Sequence, residues 1–251
     1  MKKLTEQQRI VKYFLGDSDG LVIFCFCLAG LSLFIALIAL MGGTNKYYTA
    51  DQEITAKMIA YGPIVSFIVF LSIGIAKTKA KKDFLTDEQY MELLGKKRMN
   101  VMNQERVLEK LGLDESQVRE INPVTFEGFV YSDAYVRQQK SGKWVSSRYQ
   151  ITWLFFSSTQ VYVYENTFNM EKEKEIEGTE EYFYKDITSF STKKETVTST
   201  MNNNNVEIEE NKFCIIVPGD QLTVAVDKEY VPNFQQSVHA MQQKLREKKM
   251  G

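Results

Sequence analysis

The chain holds 251 residues, 44% of them hydrophobic, with 31 Lys and Arg against 32 Asp and Glu for a net charge of −1. That balance, with no basic stripe on a recognisable nucleic-acid-binding motif, speaks against DNA or RNA as a partner. One histidine and three cysteines supply no framework for a metal cluster or a disulfide-stapled domain, and no cofactor is expected.

Within the first twenty residues, Leu4, Ile10, Val11, Phe14 and Leu15 recur at helical spacing among Lys, Arg and Gln. This predicts a cytoplasmic amphipathic segment over 1–20, lying on the inner face of a membrane. From Leu21 to Met41 the text "LVIFCFCLAGLSLFIALIALM" carries no charge. About 21 residues at ~1.5 Å rise cross a ~30 Å hydrocarbon core, so the run is read as a membrane span. It is longer than a signal-peptide core and lacks the small-residue cleavage pattern after it, so it is expected to be retained. A second run, Met58 to Ala76, contains Gly62, Pro63, Ser66 and Ser72, which a membrane helix tolerates when neighbours satisfy the freed backbone groups. Residues 21–76 are thus predicted to form a two-span hairpin with an external loop over 42–57.

Lys2, Lys3, Arg9 and Lys12 precede the first run, and Lys77, Lys79, Lys81 and Lys82 follow the second, with only Lys46 and Lys57 between. Such a bias holds both termini in the cytoplasm of a multi-pass cell-membrane protein. The same four lysines after the second run are candidates for contact with anionic lipid, each worth ~1 kcal/mol near such a leaflet. Ser32 and Ala36 in the first run, and Gly62 and Ser66 in the second, are pairs of small residues spaced for close helix packing. No ionisable residue lies inside either run, which argues against an ion or proton path.

Residues 77–122 read as the basic juxtamembrane run followed by a helical stalk. Thr86 and Gln89 form a capping box, and Gly112 with Leu113 marks a C-terminus. One helix of ~28 residues would be ~40 Å long. Its stripe of Tyr90, Leu94, Val101, Leu108 and Leu111 is interrupted by Lys97 and Gln104. A coiled coil, packing on the following domain, and packing on a sister chain in a homo-oligomer are all compatible with it.

Beyond Pro123 the period changes from 3.6 to 2, which opens a domain over 123–251. "TFEGFVY", "AYVRQQ", "WVSSRYQITWLFF", "QVYVYENTF" and "EEYFYKDITSF" read as strands, with "NMEKEKEIEGT" as a charged loop between the last two. Three more short strands follow, with turns at Asn203-Asn204, Glu210-Asn211 and Pro218-Gly219-Asp220. Phe234, Val238, Met241 and Leu245 then recur at i, i+4, i+7 and i+11 on a terminal helix. The fold class expected is a membrane α hairpin plus an α+β domain, the latter a seven-stranded antiparallel sandwich or barrel capped by that helix.

Seven short strands followed by one amphipathic helix, with the phrases "EGFVY", "KSGKWVSSRY", "VYVYE" and "YFYKDITSF", resemble the pleckstrin-homology-like superfold over Glu127 to Leu245. A two-span hairpin ahead of such a module is similar to bacterial membrane proteins carrying a bacterial pleckstrin-homology domain. The Trp often found in the terminal helix of eukaryotic members is absent, with Phe234 and Met241 in its stead. The resemblance implies lipid head-group contact by Arg137, Lys140, Lys143 and Arg148 around the Ser141-Gly142 turn, through charge-assisted hydrogen bonds. It also implies a peptide partner at a sheet edge or in the groove beside the terminal helix.

The function expected is non-enzymatic: a membrane-anchored scaffold presenting its cytoplasmic module to protein partners first and anionic lipid second. The alternative is a membrane-perturbing effector whose hairpin oligomerises into a pore, with the domain as sensor. No catalytic residue, phosphate-binding glycine motif or nucleophile elbow is present. His239 falls off the apolar stripe of its helix, and Cys25, Cys27 and Cys214 read as small packing residues.

Overall fold

A computed structural model describes residues 4–16, 19–41, 50–81, 84–118, 121–172, 174–201, 204–231 and 233–250, with backbone alone over 19–21, 38–41, 50–60 and 79–81. Among the described residues, six α-helices and three antiparallel sheets give an α+β class. The chain divides into two units, one built from residues up to Leu15 together with those from Leu85 onward, the other from Gly16–Phe84.

In the second unit, α2 (Asp19–Met41) and α3 (Ala50–Lys81) pack on each other. Cys25, Ala29, Ser32 and Ala36 line the buried side of α2, spaced as one helical face. Among the described residues one stretch, Tyr61–Thr78 of α3, is long and apolar enough to cross a membrane, and α2 contributes a shorter apolar stretch, Val22–Leu37. Their outer faces expose Phe24, Leu31, Phe34, Val65, Ile68 and Val69. α3 continues through Pro63, and the hydroxyls of Ser66, Ser72 and Thr78 donate back to carbonyls of their own helix at 2.8–2.9 Å.

The first unit begins with α1 (Glu6–Leu15). The segment expected to lie on a membrane instead buries Ile10, Tyr13 and Phe14 in this unit's own core. The Tyr13 ring stacks on Tyr90 at 4.8 Å, Phe14 meets Tyr90 edge-on, and the Tyr13 hydroxyl donates to Asp87 at 2.9 Å.

The single long helix expected after the second run is two, α4 (Asp87–Val101) and α5 (Gln104–Leu111). The capping box at Thr86 and Gln89 and the left-handed Gly112 form as read. The break comes at Asn103, whose side chain accepts from Arg106 N at 3.1 Å and so competes with a continuing helix. Breaking there lets Tyr90, Leu94, Val101, Val107 and Leu108 all bury against the sheet, so this segment is a packed layer and not a stalk. A 3-10 turn, Glu115–Val118, leads on.

β1 (Val124–Val130), β4 (Arg148–Phe156), β5 (Gln160–Asn169) and β6 (Lys174–Phe183) form one antiparallel sheet in that order. A hairpin of β2 (Val136–Gln138) and β3 (Trp144–Ser146) is inserted between β1 and β4. The strand expected over "WVSSRYQITWLFF" is therefore divided at Ser147, whose N–H leaves the ladder to donate to Tyr135 O at 2.8 Å. β7 (Ser189–Met201), β8 (Asn204–Val217) and β9 (Asp220–Val226) form the second meander.

Two further expectations are corrected. The charged "loop" from Asn169 contains the first half of β6, and "EEYFYKDITSF" ends β6, turns at Tyr184–Asp186 and starts β7. Tyr184, Ile187 and Phe190 all point inward, a spacing of three that no single strand can bury on one face. The turn expected at Glu210-Asn211 is absent because β8 runs through it, with Glu210 buried beside Lys212 at 3.1 Å.

Alternate residues of β4 supply both cores. Tyr149, Ile151, Trp153 and Phe155 face α1, α4 and α5, whereas Leu154 and Phe156 face the second sheet with Phe126, Phe190, Phe213 and Ile215. α6 (Phe234–Met250) closes the inner core with Phe234, Val238, Met241 and Leu245, the four positions of the predicted stripe. The sheets meet where Asp227 N donates to Glu127 O at 2.7 Å and Ala225 N to the Gln150 side chain at 2.7 Å. Gly128 makes that approach feasible, since a methyl group there would lie 2.9 Å from Asp227 N.

Candidate interaction surfaces

The four hairpin cations do not converge on an open site. The Arg137 guanidinium lies over the Tyr13 ring at 4.5 Å and donates to Tyr13 O, with Asp87 3.9 Å away. Arg148 donates to Ser132 O at 3.1 Å. Lys143 pairs with Asp227 at 3.0 Å and with Glu229, and its ammonium sits over Tyr230 at 4.8 Å. Lys140 has its backbone N–H on Asp87 at 3.0 Å and keeps an exposed side chain. Three of the four are thus held by carboxylates, carbonyls or rings of their own fold. A phosphate would have to displace these partners, which weakens the head-group reading.

Of the basic run, Lys77 is half-buried on α3; Lys79 and Lys81 lie on α3 with side chains outside the described residues, and Lys82 is outside them altogether. Ser32 and Ala36 lie on the buried face of α2, where Ser32 donates to Ala29 O at 2.9 Å. Gly62 is exposed with open space around it, and Ser66 is half-buried with its hydroxyl on Pro63 O. The glycine that meets α2 is Gly74, where an added methyl would lie 3.1 Å from the Phe26 ring. His239 is exposed, Cys25 and Cys214 are buried, and Cys27 is exposed. Among the described residues no three metal-ligating side chains gather.

Sequence reasoning missed the lock between α4 and the sandwich. Arg98 grips buried Glu127 with two nitrogens, Tyr149 donates to the same carboxylate at 3.0 Å, and Arg98 also lies over Tyr230 at 5.2 Å. Hydrogen bonding to Glu127 holds the Arg98 guanidinium more firmly charged, while burial pushes the Tyr149 and Tyr90 hydroxyls far above the usual phenol range. A charged residue in the middle of an alternating strand, Glu127 between Phe126 and Phe129, was the available signal.

The edge strand of the first sheet is β6, whose first half sequence reasoning took for a loop. Among the described residues β6 pairs with β5 alone, and it is exposed along nearly its whole length. Ile176 and Phe183 are 50% and 46% exposed, an unusual solvent face for large apolar groups on a strand. The opposite candidate, the groove between β7 and α6, is bridged by Gln242 donating to Phe190 O at 2.8 Å.

No protein-family model matches this chain, and no curated protein or solved structure matches it either.

Proposed function

We propose that this chain is a membrane-anchored, non-catalytic interaction protein, in which α2 and α3 cross a cell membrane twice and a pleckstrin-homology-like module is presented on the cytoplasmic side to protein partners. The order of the two sheets supports the module: β1, β4, β5 and β6, then β7, β8 and β9, then α6, is a four-plus-three meander with a terminal helix. The β2–β3 hairpin is an insertion between its first two strands.

The observation that carries the anchoring is the apolar outer face of α2 and α3, with Tyr61–Thr78 long and apolar enough to cross, and the stack of α1 on α4 supports the pairing of the two helices as a hairpin. Residues up to Leu15 and from Leu85 onward build one unit, and Gly16–Phe84 is inserted between them. Two elements packed on each other lie on one side of a bilayer, so a crossing by α3 calls for a second crossing, and this supports a hairpin of α2 and α3. The lysine bias at both ends of the hairpin makes that side cytoplasmic. The spending of Arg137, Lys143 and Arg148 on internal partners favours protein over anionic lipid as the partner.

Epitope tags inserted after Asn45 and appended after Gly251 test this in bacterial cells expressing the full chain. The tag at 45 is expected to be reached by antibody in spheroplasts with an intact inner membrane, and the terminal tag only after permeabilisation. Both tags on one side, or release of the chain by alkaline carbonate, would overturn the anchoring. Cross-linking to lipid alone, with no protein partner, would overturn the choice of partner.

A further inference from the structure

We infer that the free edge of β6 docks a basic, extended protein segment as an added strand. The inference rests on the interaction-module reading for the existence of a partner and adds its chemistry and its place. An edge strand turns the N–H and C=O of alternate residues away from its neighbour, and such a row accepts another strand unless something blocks it. On β6 nothing does among the described residues: the strand is exposed from Lys174 to Glu181, and its only ladder is with β5. Gly178 stands in the middle with open space where a side chain would be, so no side chain there crowds the edge.

The charge on this edge selects the occupant. "KEIEGTEEYF" carries four glutamates and one lysine. Glu177 is neutralised by Lys110 and Arg106 of α5, but Glu175, Glu180 and Glu181 pair with no cation among the described residues. α5, tied to the strand through Glu177, carries Glu105 and Glu109 into a groove shared with Asp114 and Glu115, so the neighbouring surface is acidic too. A second copy of β6 would place glutamates against glutamates, since like charges directly opposite across strands destabilise pairing. A strand with Lys or Arg at alternate positions finds the reverse: its cations can lie on the face of Glu175 and Glu181, and its apolar residues on the opposite face, over Ile176.

The test uses the full chain in detergent and three synthetic ten-residue peptides: alternating Lys and Val, alternating Glu and Val, and the Lys peptide N-methylated at every second residue. Amide hydrogen exchange over 174–183 is the readout. Slowed exchange with the Lys peptide, none with the Glu peptide and none with the N-methylated form is expected, the last because it lacks the main-chain donors. The variant Glu175→Lys/Glu180→Lys/Glu181→Lys, checked for an unchanged melting profile, is expected to weaken the Lys peptide about tenfold and to gain the Glu peptide. Equal protection by both charge types, undiminished binding of the N-methylated peptide, or no protection over 174–183 would overturn the inference, as would a dimer joined through β6. If the tags of the topology experiment sit on opposite sides of the membrane while β6 stays unprotected, the membrane-module reading survives and this inference alone fails.

Discussion

At the scale of single residues, two features set the stability of the first unit. Gly128 is the point where β1 passes beneath β9, and an added methyl would press on main-chain atoms of Ala225, Val226 and Asp227 at 2.9–3.0 Å. Backbone cannot swing aside as a side chain can, so Gly128→Ala is expected to cost at least ~1–3 kcal/mol, read as a loss of several degrees in melting temperature. The second feature is a pair of opposed acid responses. Glu195 is held down to about 2 by hydrogen bonds from Lys193 and Lys212, so its stabilisation is complete above a carboxylate's ordinary 4.5 and is lost as pH falls toward 2. Burial pushes Glu165 and Glu210 the other way, so the folded state gains as they take up protons on acidification toward 4.5. The melting temperature is expected to rise slightly as pH is lowered to about 4.5 and to fall below it. Glu210→Gln should flatten the rise, and Glu195→Gln should soften the fall.

At the scale of elements, α1 acts as a clasp. Tyr13 and Phe14 are both buried and both touch Tyr90, and Tyr13 is held further by its hydrogen bond to Asp87 and by Arg137, which lies over its ring and donates to its carbonyl. Phe14→Ala is expected to remove ~3–5 kcal/mol, and limited proteolysis should then cut between residues 4 and 16 before any strand of the sandwich. The elements that were legible from sequence are those with one clean period. The stripe of α6, the capping box of α4 and the alternation of Tyr149, Ile151, Trp153 and Phe155 all appear where they were read. The failures have a shared physical origin. β6 has no buried face to stamp a period on its sequence, so its glutamates read as a loop. α1 looked like a membrane-surface helix because an amphipathic stripe does not say what covers it. The hairpin cations looked like a binding site because their partners, Tyr13, Asp227 and Glu229, lie far away along the chain.

At the scale of the whole molecule, one architectural fact organises the rest: the globular unit is discontinuous, with the apolar hairpin inserted between α1 and α4. The stack of Tyr13 on Tyr90 therefore ties together segments that a membrane would separate if it were crossed an odd number of times. The same discontinuity sets a timetable for biosynthesis. Asp87 is 74 residues behind Tyr13, which at ~5–20 residues per second means α1 waits about 4–15 s for its docking surface. During that interval the aromatic face of α1 is uncovered. Completion of the sandwich then fastens the helix that emerged first; on the proposed two-span topology that last step inspects the hairpin, because a chain inserted with its ends on opposite sides would be unable to close its own core and would be left as a target for proteases.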